Sequence, residues 1–338
     1  MITKRFVPAI LAVAALAATG ASAQTLKTVK ERGQLICGVS EGLPGFSAPD
    51  DKGQWSGFDV DFCRALAAAI FNDKTKVQFM PLSANDRFAA LQSKKIDVLS
   101  RNSTWTMGRE TELGLIFAAV NYYDGQGFMV RKSLGIESAP ELGDKTICTQ
   151  SGTTTEHNLA DYFRNNRLTY KLTALASAAE ALKAYDDGRC AAFTSDVSQL
   201  YAQRVKLATA ADHVILPDII SKEPLGPVVR QDDVQWFNVV KWTHFAMINA
   251  EELGVGTKTI GEAMSSQKPS VRRLLGLEGS FGEQLGLSKD WAARMVRQVG
   301  NYGEVFERNV GTESKLAIPR GINSLWDRGG IQYAPPIQ

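Results

Sequence analysis

Short apolar runs bounded by polar turns alternate along this chain with longer segments whose apolar positions repeat at helical spacing. LICGVS (Leu35 to Ser40) and VQFMPL (Val77 to Leu82) read as buried strands. Phe58 to Phe71 between them reads as a helix with Phe62, Ala65, Leu66, Ala69 and Ile70 on its core face. Ser83 and Asp86 have the spacing of a capping box before the next helix, which carries Arg87, Phe88 and Leu91. Strand, helix and strand in this order predict a right-handed parallel unit. The glycines and proline of EGLPGF, after the first strand, fix a loop that should border a cleft.

The same design occurs twice. ALQSKKIDVLS (Ala90 to Ser100) runs from helix end through a polar turn into a buried strand, and ALKAYDDGRCAAFTSD (Ala181 to Asp196) repeats that order. Around the second copy, KTICTQ (Lys145 to Gln150), TYKLTAL and HVILPD (His213 to Asp218) supply further strands. Ser177 with Glu180 forms a second capping-box pattern. Asp124 to Arg131 reads as the crossing into this second unit, and Pro224 to Arg230 as the return. A long amphipathic helix follows near Asp233 to Glu252, with Trp236, Val239, Val240, Thr243 and Met247 along its core side. From Gly254 onward, short helices dense in aromatics and glycines predict a packed cap on the first unit. The expected fold is α/β, with two lobes, each a mainly parallel sheet flanked by helices, joined by two crossings. The first lobe takes residues 24–126 and 225–338, the second 127–224.

Composition adds bounds. With 338 residues, 44% hydrophobic and 22% charged, the chain has an ordinary globular balance and room for two lobes. Met1 to Ala23 is a separate object: Lys4 and Arg5, an apolar run from Phe6 to Ala18, then Ala21-Ser22-Ala23. This is the order of a cleavable secretory signal, and it predicts an exported mature chain starting at Gln24, without direct membrane insertion. Loss of Lys4 and Arg5 takes the basic residues from 38 to 36, against 36 acidic ones. No basic stripe is left to hold a phosphate backbone, so nucleic acid is not an expected partner.

Four cysteines in an exported chain predict two disulfides, with three possible pairings. Cys37 and Cys63 lie in the first lobe, Cys148 and Cys190 in the second. Pairing within lobes is expected, because a link between lobes would lock a cleft that must open. Four buried thiols are the alternative. His157, His213 and His244 are scattered and no CxxC occurs, so neither a metal nor another cofactor is expected.

The candidate chemistry lies where strands end in polar clusters. Val98 and Leu99 run into Ser100, Arg101, Asn102, Ser103 and Thr104, and Arg109 follows one short turn later. Ligands of open α/β sheets sit at such carboxyl ends. A guanidinium there suits a carboxylate, through two parallel charge-assisted hydrogen bonds. The second copy ends in Thr194, Ser195 and Asp196. If the strand ends face each other, Arg109 and Asp196 form opposite walls suited to a zwitterion, hence to an amino acid. SGTTTE (Ser151 to Glu156) leads into a helix, so its free N–H groups offer an anion seat, with Thr153 or Thr154 as cap.

GFDVDFCRALA, ALQSKKIDVLS, the Arg109 turn, YYDGQGFMVRK, QSGTTTE and GRCAAFTSD, in this order and spacing, resemble the polar amino-acid-binding proteins of bacterial ABC transporters, solute-binding protein family 3. The resemblance runs from about Leu35 to Glu252. The tail, with NYGEVFERN and YAPP, is similar to the general L-amino-acid-binding subgroup. It implies a two-lobed periplasmic binding protein-like fold of type II, in which Arg109 grips the α-carboxylate and Asp196 takes the α-ammonium. Asn102 and Thr104 match positions that bond the same groups, and Thr154 matches a threonine whose backbone N–H joins the carboxylate seat. Arg87 falls where members with acidic ligands place an arginine near the side chain. Relatives that bind basic amino acids carry an aromatic ring where this chain has Leu43, and another where it has Ala84, so a roomier wall and broad specificity are expected.

The resemblance further implies a periplasmic monomer that captures an amino acid by closure and delivers it to a membrane permease and, through it, to an ATPase subunit, with no catalytic step. Two other readings stay open. Exported dehydratases acting on cyclic aromatic precursors share the fold and would need a positioned acid or base. A receptor-like sensor without transport would need only the binding site.

Overall fold

The computed structural model describes residues 24–338; the signal segment expected at Met1 to Ala23 lies outside the described residues. Leu35–Val39, whose Leu35, Cys37 and Val39 side chains have no exposed surface, runs parallel to Val77–Pro81 on one side and to Val98–Leu99 on the other. Val228–Arg230 and Leu115–Phe117 complete this five-stranded sheet, with Val228–Arg230 antiparallel to both of its neighbours. The second sheet repeats the plan. Thr146–Gln150 lies parallel between Lys171–Leu175 and Ala192–Asp196, and Gln126–Arg131 is antiparallel to Ala192–Asp196 and to the edge strand His213–Ile215. Each sheet with its helices forms a lobe. The chain is thus α/β with two sheets of one design.

The crossing expected at Asp124 to Arg131 is built from two strands. Tyr122–Asp124 pairs antiparallel with Glu223–Leu225 in a ribbon between the lobes, and Gln126–Arg131 then enters the second sheet. Gly125 separates them, at the point where the chain changes hydrogen-bonding partner; a Cβ there would stand 2.3 Å from Ile219 Cγ2.

The helix Val234–Glu252 begins where Asp233 accepts a hydrogen bond from the Trp236 N–H at 2.9 Å. The expected face is buried, but so are Ala246, Ile248 and Ala250. The helices Trp291–Gln298 and Tyr302–Asn309 pack on it and on Phe58–Phe71, so the tail merges with the first lobe's core. Tyr302 meets Phe58 edge-on at 5.8 Å, and Phe306 stacks on Tyr122 at 5.9 Å. The tail also grips the crossing: the Asn323 side chain accepts from Tyr123 N–H at 2.7 Å and donates to Tyr123 C=O at 2.9 Å, while the Tyr302 hydroxyl donates to Asn121 C=O.

Disulfides join Cys37 to Cys63 and Cys148 to Cys190, both within a lobe. The Ser177–Glu180 capping box is present. The other two capping expectations are corrected. Ser83 and Asp86 do bond each other, yet the helix starts one residue later, at Arg87, so the pair closes the preceding turn. Neither Thr153 nor Thr154 caps Thr155–Asn165 with its hydroxyl. Thr153 donates to Gln150 C=O, and Thr154 donates to the buried Glu223 carboxylate, which is the stronger acceptor. Among the described residues, no helix is long and apolar enough to cross a membrane.

Candidate functional site

The first wall is shaped by Asp59, buried in the first turn of Phe58–Phe71. Its two carboxylate oxygens accept from the Ser100 hydroxyl at 2.9 Å and the Asn102 N–H at 3.1 Å, so the end of Val98–Leu99 wraps around it. Asn102 turns with φ of 32°, in the left-handed region that asparagine tolerates better than most residues. Burial pushes the Asp59 carboxyl up to about 6, against the lowering effect of Ser100, Asn102 and Arg101. The turn directs Arg101 and Asn102 into the cleft, with Arg101 anchored by its Nε–H to Leu82 C=O at 2.9 Å.

Arg109 stands on the short helix Met107–Thr111, capped by Thr106. Its guanidinium folds back to donate to Thr104 C=O at 2.7 Å. The Phe88 ring carries two cations, Arg87 at 4.7 Å and Arg109 at 5.2 Å. Arg87 is 3% exposed and its Nε–H has no partner. Burial lowers the pKa of all three arginines, that of Arg101 to about 10, because each guanidinium is stripped of water. Such a cluster calls for an anion.

The second wall is the end of Ala192–Asp196, buried along its whole length. Asp196 sits at the N-cap of Val197–Arg204, but its side chain caps nothing. Burial first, then the nearby Glu223 and Asp124, hold its carboxyl well above the usual range; Arg109 and Arg87 only partly offset this. Asp196 is a carboxyl group without a bonded cation, facing guanidinium groups without a bonded anion.

Between the walls lies Glu223, on the return strand of the ribbon and almost fully buried. It accepts from Thr104 of the first lobe and from Thr154 of the second, as well as from Asn158 at 2.6 Å and Ser221 at 2.7 Å. Other contacts also span the lobes. Asn102 Nδ2 donates to Gln199 Oε1 at 3.2 Å, and Lys206 Nζ donates to Gly42 C=O at 2.7 Å. Gly152, at φ of 73°, lies so near Asn85 that a Cβ would stand 1.9 Å from its Oδ1. The lobes are therefore in contact across the cleft.

Two adjoining chambers remain. The inner, with about 310 Å³ of non-atom space counting what opens to solvent, is lined by Arg87, Asn102, Thr104, Arg109, Thr154 and Asp196 together with Arg101, Gln150 and Gln199. The outer, about 440 Å³, shares Arg101, Asn102, Gln150 and Gln199 with it and is lined by Leu43. Of the seven residues singled out in the sequence, Leu43 alone is missing from the inner chamber, and Asn102 lines both. Arg101, Gln150, Gln199 and Glu223 were not singled out. A signal for Arg101 was its place in the polar strand end; Glu223 and Gln199 carry none, because only the pairing of distant segments brings them here.

Residues 35–259 match the family described as "Bacterial extracellular solute-binding proteins, family 3". The chain belongs to that family. Among its family 3 relatives, the general L-amino acid-binding periplasmic protein AapJ of Rhizobium johnstonii is 56% identical, over 97% of this chain and 96% of that protein. The glutamate/glutamine/aspartate/asparagine-binding protein BztA of Rhodobacter capsulatus is 54% identical, over 97% of each. A solved periplasmic binding protein of an ABC transporter from Brucella ovis, with glutathione bound, is 55% identical and superimposes with a TM-score of 0.92 over 93% of this chain and 99% of that one. The dehydratase reading has a more distant counterpart, an ancestral amino acid-binding protein described as a precursor of cyclohexadienyl dehydratase. It is 29% identical, with a TM-score of 0.57 over 68% of this chain and 95% of that one.

Proposed function

We propose that this family 3 protein is a periplasmic receptor that captures L-amino acids between its lobes and hands them to an ABC import permease and its ATPase subunit. The observation that carries this reading is the pair of unsatisfied walls, Arg109 with Arg87 and Arg101 on one side and Asp196 on the other. An α-carboxylate on Arg109, joined by the Thr154 N–H, and an α-ammonium on Asp196 supply each with its missing partner. Asn102 and Thr104 line the same space, and the unpartnered Arg87 Nε–H suits a side-chain carboxylate or amide oxygen. Residues 24–126 and 225–338 form one moving body and residues 127–224 the other. Closure excludes water and strengthens every charged contact in the inner chamber. The protein acts as a monomer and catalyses no reaction. The 56% identity to AapJ, named for general L-amino acid binding, and the 54% identity to BztA, named for two acidic amino acids and their amides, support a ligand range that spans several amino-acid classes, and the glutathione held by the Brucella protein extends that range to amino acids lengthened through their side chains.

Calorimetry on the ligand-stripped protein tests this, with a panel of acidic, amide, aliphatic and basic L-amino acids and their carboxyl-amide analogues. Amino acids of several classes should bind and the amides should not. Arg109→Ala should weaken binding by about a hundredfold or more at nearly unchanged melting temperature. Retained affinity in that variant would overturn the role of Arg109, and binding of one class alone would overturn the breadth.

A further inference from the structure

The outer chamber has its own unsatisfied groups. The helix Ala178–Asp186 starts at its wall with Ser177, Ala178 and Ala179. Ser177 and Glu180 cap each other reciprocally, so the capping uses the N–H groups of Ser177 and Glu180. The N–H groups of Ala178 and Ala179, at the positive end of the helix dipole, are left for an outside acceptor. Gln203 also lines this chamber; it is 1% exposed, and its Oε1 has no hydrogen-bond partner. A buried amide oxygen without a donor is destabilising, and a ligand N–H placed beside it relieves that cost. The cations Arg101 and Lys206 border the same space, and the acid among its lining residues, Glu41, is exposed. The bond of Lys206 to Gly42 C=O uses one of its three N–H groups. The passage between the chambers runs past Arg101, Asn102, Gln150 and Gln199, which line both.

We infer that the outer chamber is a distal subsite for amino acids whose side chain is extended through an amide bond to a terminal carboxylate. The inference rests on the amino-acid-binding reading of the inner chamber. The zwitterionic end occupies the inner chamber. The amide of the extension passes the shared glutamines and donates its N–H to Gln203, and the terminal carboxylate lies on the Ala178 and Ala179 N–H groups beside Lys206. Leu43, where an aromatic ring would fill the wall, leaves the room this extension needs.

The test is calorimetry with L-glutamine, γ-L-glutamylglycine and the dipeptide's carboxyl-terminal amide on three proteins: wild type, Gln203→Leu and Ala179→Glu. The last places a carboxylate beside the seat at a first-turn position that the helix tolerates. Wild type should bind glutamine and the dipeptide, and should bind the amide at least about tenfold more weakly than the dipeptide. Each variant should lose at least about tenfold for the dipeptide while its affinity for glutamine changes by less than about threefold. Dipeptide binding that is indifferent to amidation and to both variants would overturn the subsite, as would wild type binding glutamine but not the dipeptide. Equal losses for both ligands would also overturn it, since they would mark an effect on closure. If wild type binds neither ligand, the amino-acid reading falls and the subsite with it.

Discussion

Three carboxylates around the cleft, the buried Asp59 and Asp196 and the half-buried Asp124, are held above the ordinary aspartate range by desolvation. For Asp59 the shift is from 3.8 to about 6, so folding favours its protonated form. Its contribution to stability is complete below about pH 4 and is lost as pH rises through about 6, by roughly 3 kcal/mol. Melts between pH 4 and 7 should show this fall, and Asp59→Asn should show a smaller one. Asp196 gives the opposite sign for binding. An ammonium placed beside it stabilises the charged form, so binding expels a proton and affinity should rise with pH across the acidic range. Titrations in buffers of different ionisation enthalpy measure that proton directly; zero release throughout the acidic range would separate Asp196 from the ligand. At this scale the positions of Arg109 and Asp196 at the cleft were readable in the sequence, because each follows a buried strand that stops in hydroxyls and amides. The destination of Arg101 was not, since it depends on the left-handed turn at Asn102.

Elements with a strong local code were readable. Ser177 and Glu180 cap their helix as their spacing implies, and Val234–Glu252 begins within one residue of the start expected at Asp233. Where a distant group competes, local code fails: Thr154 has the right position to cap and instead serves Glu223, 69 residues away. The tail's hold on the crossing ribbon is of this non-local kind. Asn323→Ala leaves the Tyr123 N–H and C=O without partners and should cost about 1–3 kcal/mol in denaturant titrations, with the disulfides intact. The Cys148–Cys190 link, with a sequence separation of 42, contributes about 4 kcal/mol in the chain-entropy model, against about 3.5 for the separation of 26 between Cys37 and Cys63. Unfolding of Cys148→Ser/Cys190→Ser should therefore show the larger loss of the two double variants.

For the molecule as a whole, the repeated strand order and the paired crossings were legible, because each lobe carries its own hydrophobic periodicity. How closely the lobes meet was not, because it is decided by a few atoms far apart in sequence. Gly152 against Asn85 is the sharpest of these meetings. Gly152→Ala would place a methyl group where the Asn85 side chain now lies, in a backbone region that also disfavours alanine. That change should prop the lobes apart by as much as the exposed Asn85 side chain fails to swing aside, and Asn85→Gly in the same chain should relieve that part. Because only the fraction of molecules able to shut is altered, every ligand's apparent affinity should fall by one common factor, and the ranking of ligands should stay as it was. Gly152 is thus a volume control: it sets the concentration at which the receptor responds and leaves untouched the choice of what it hears.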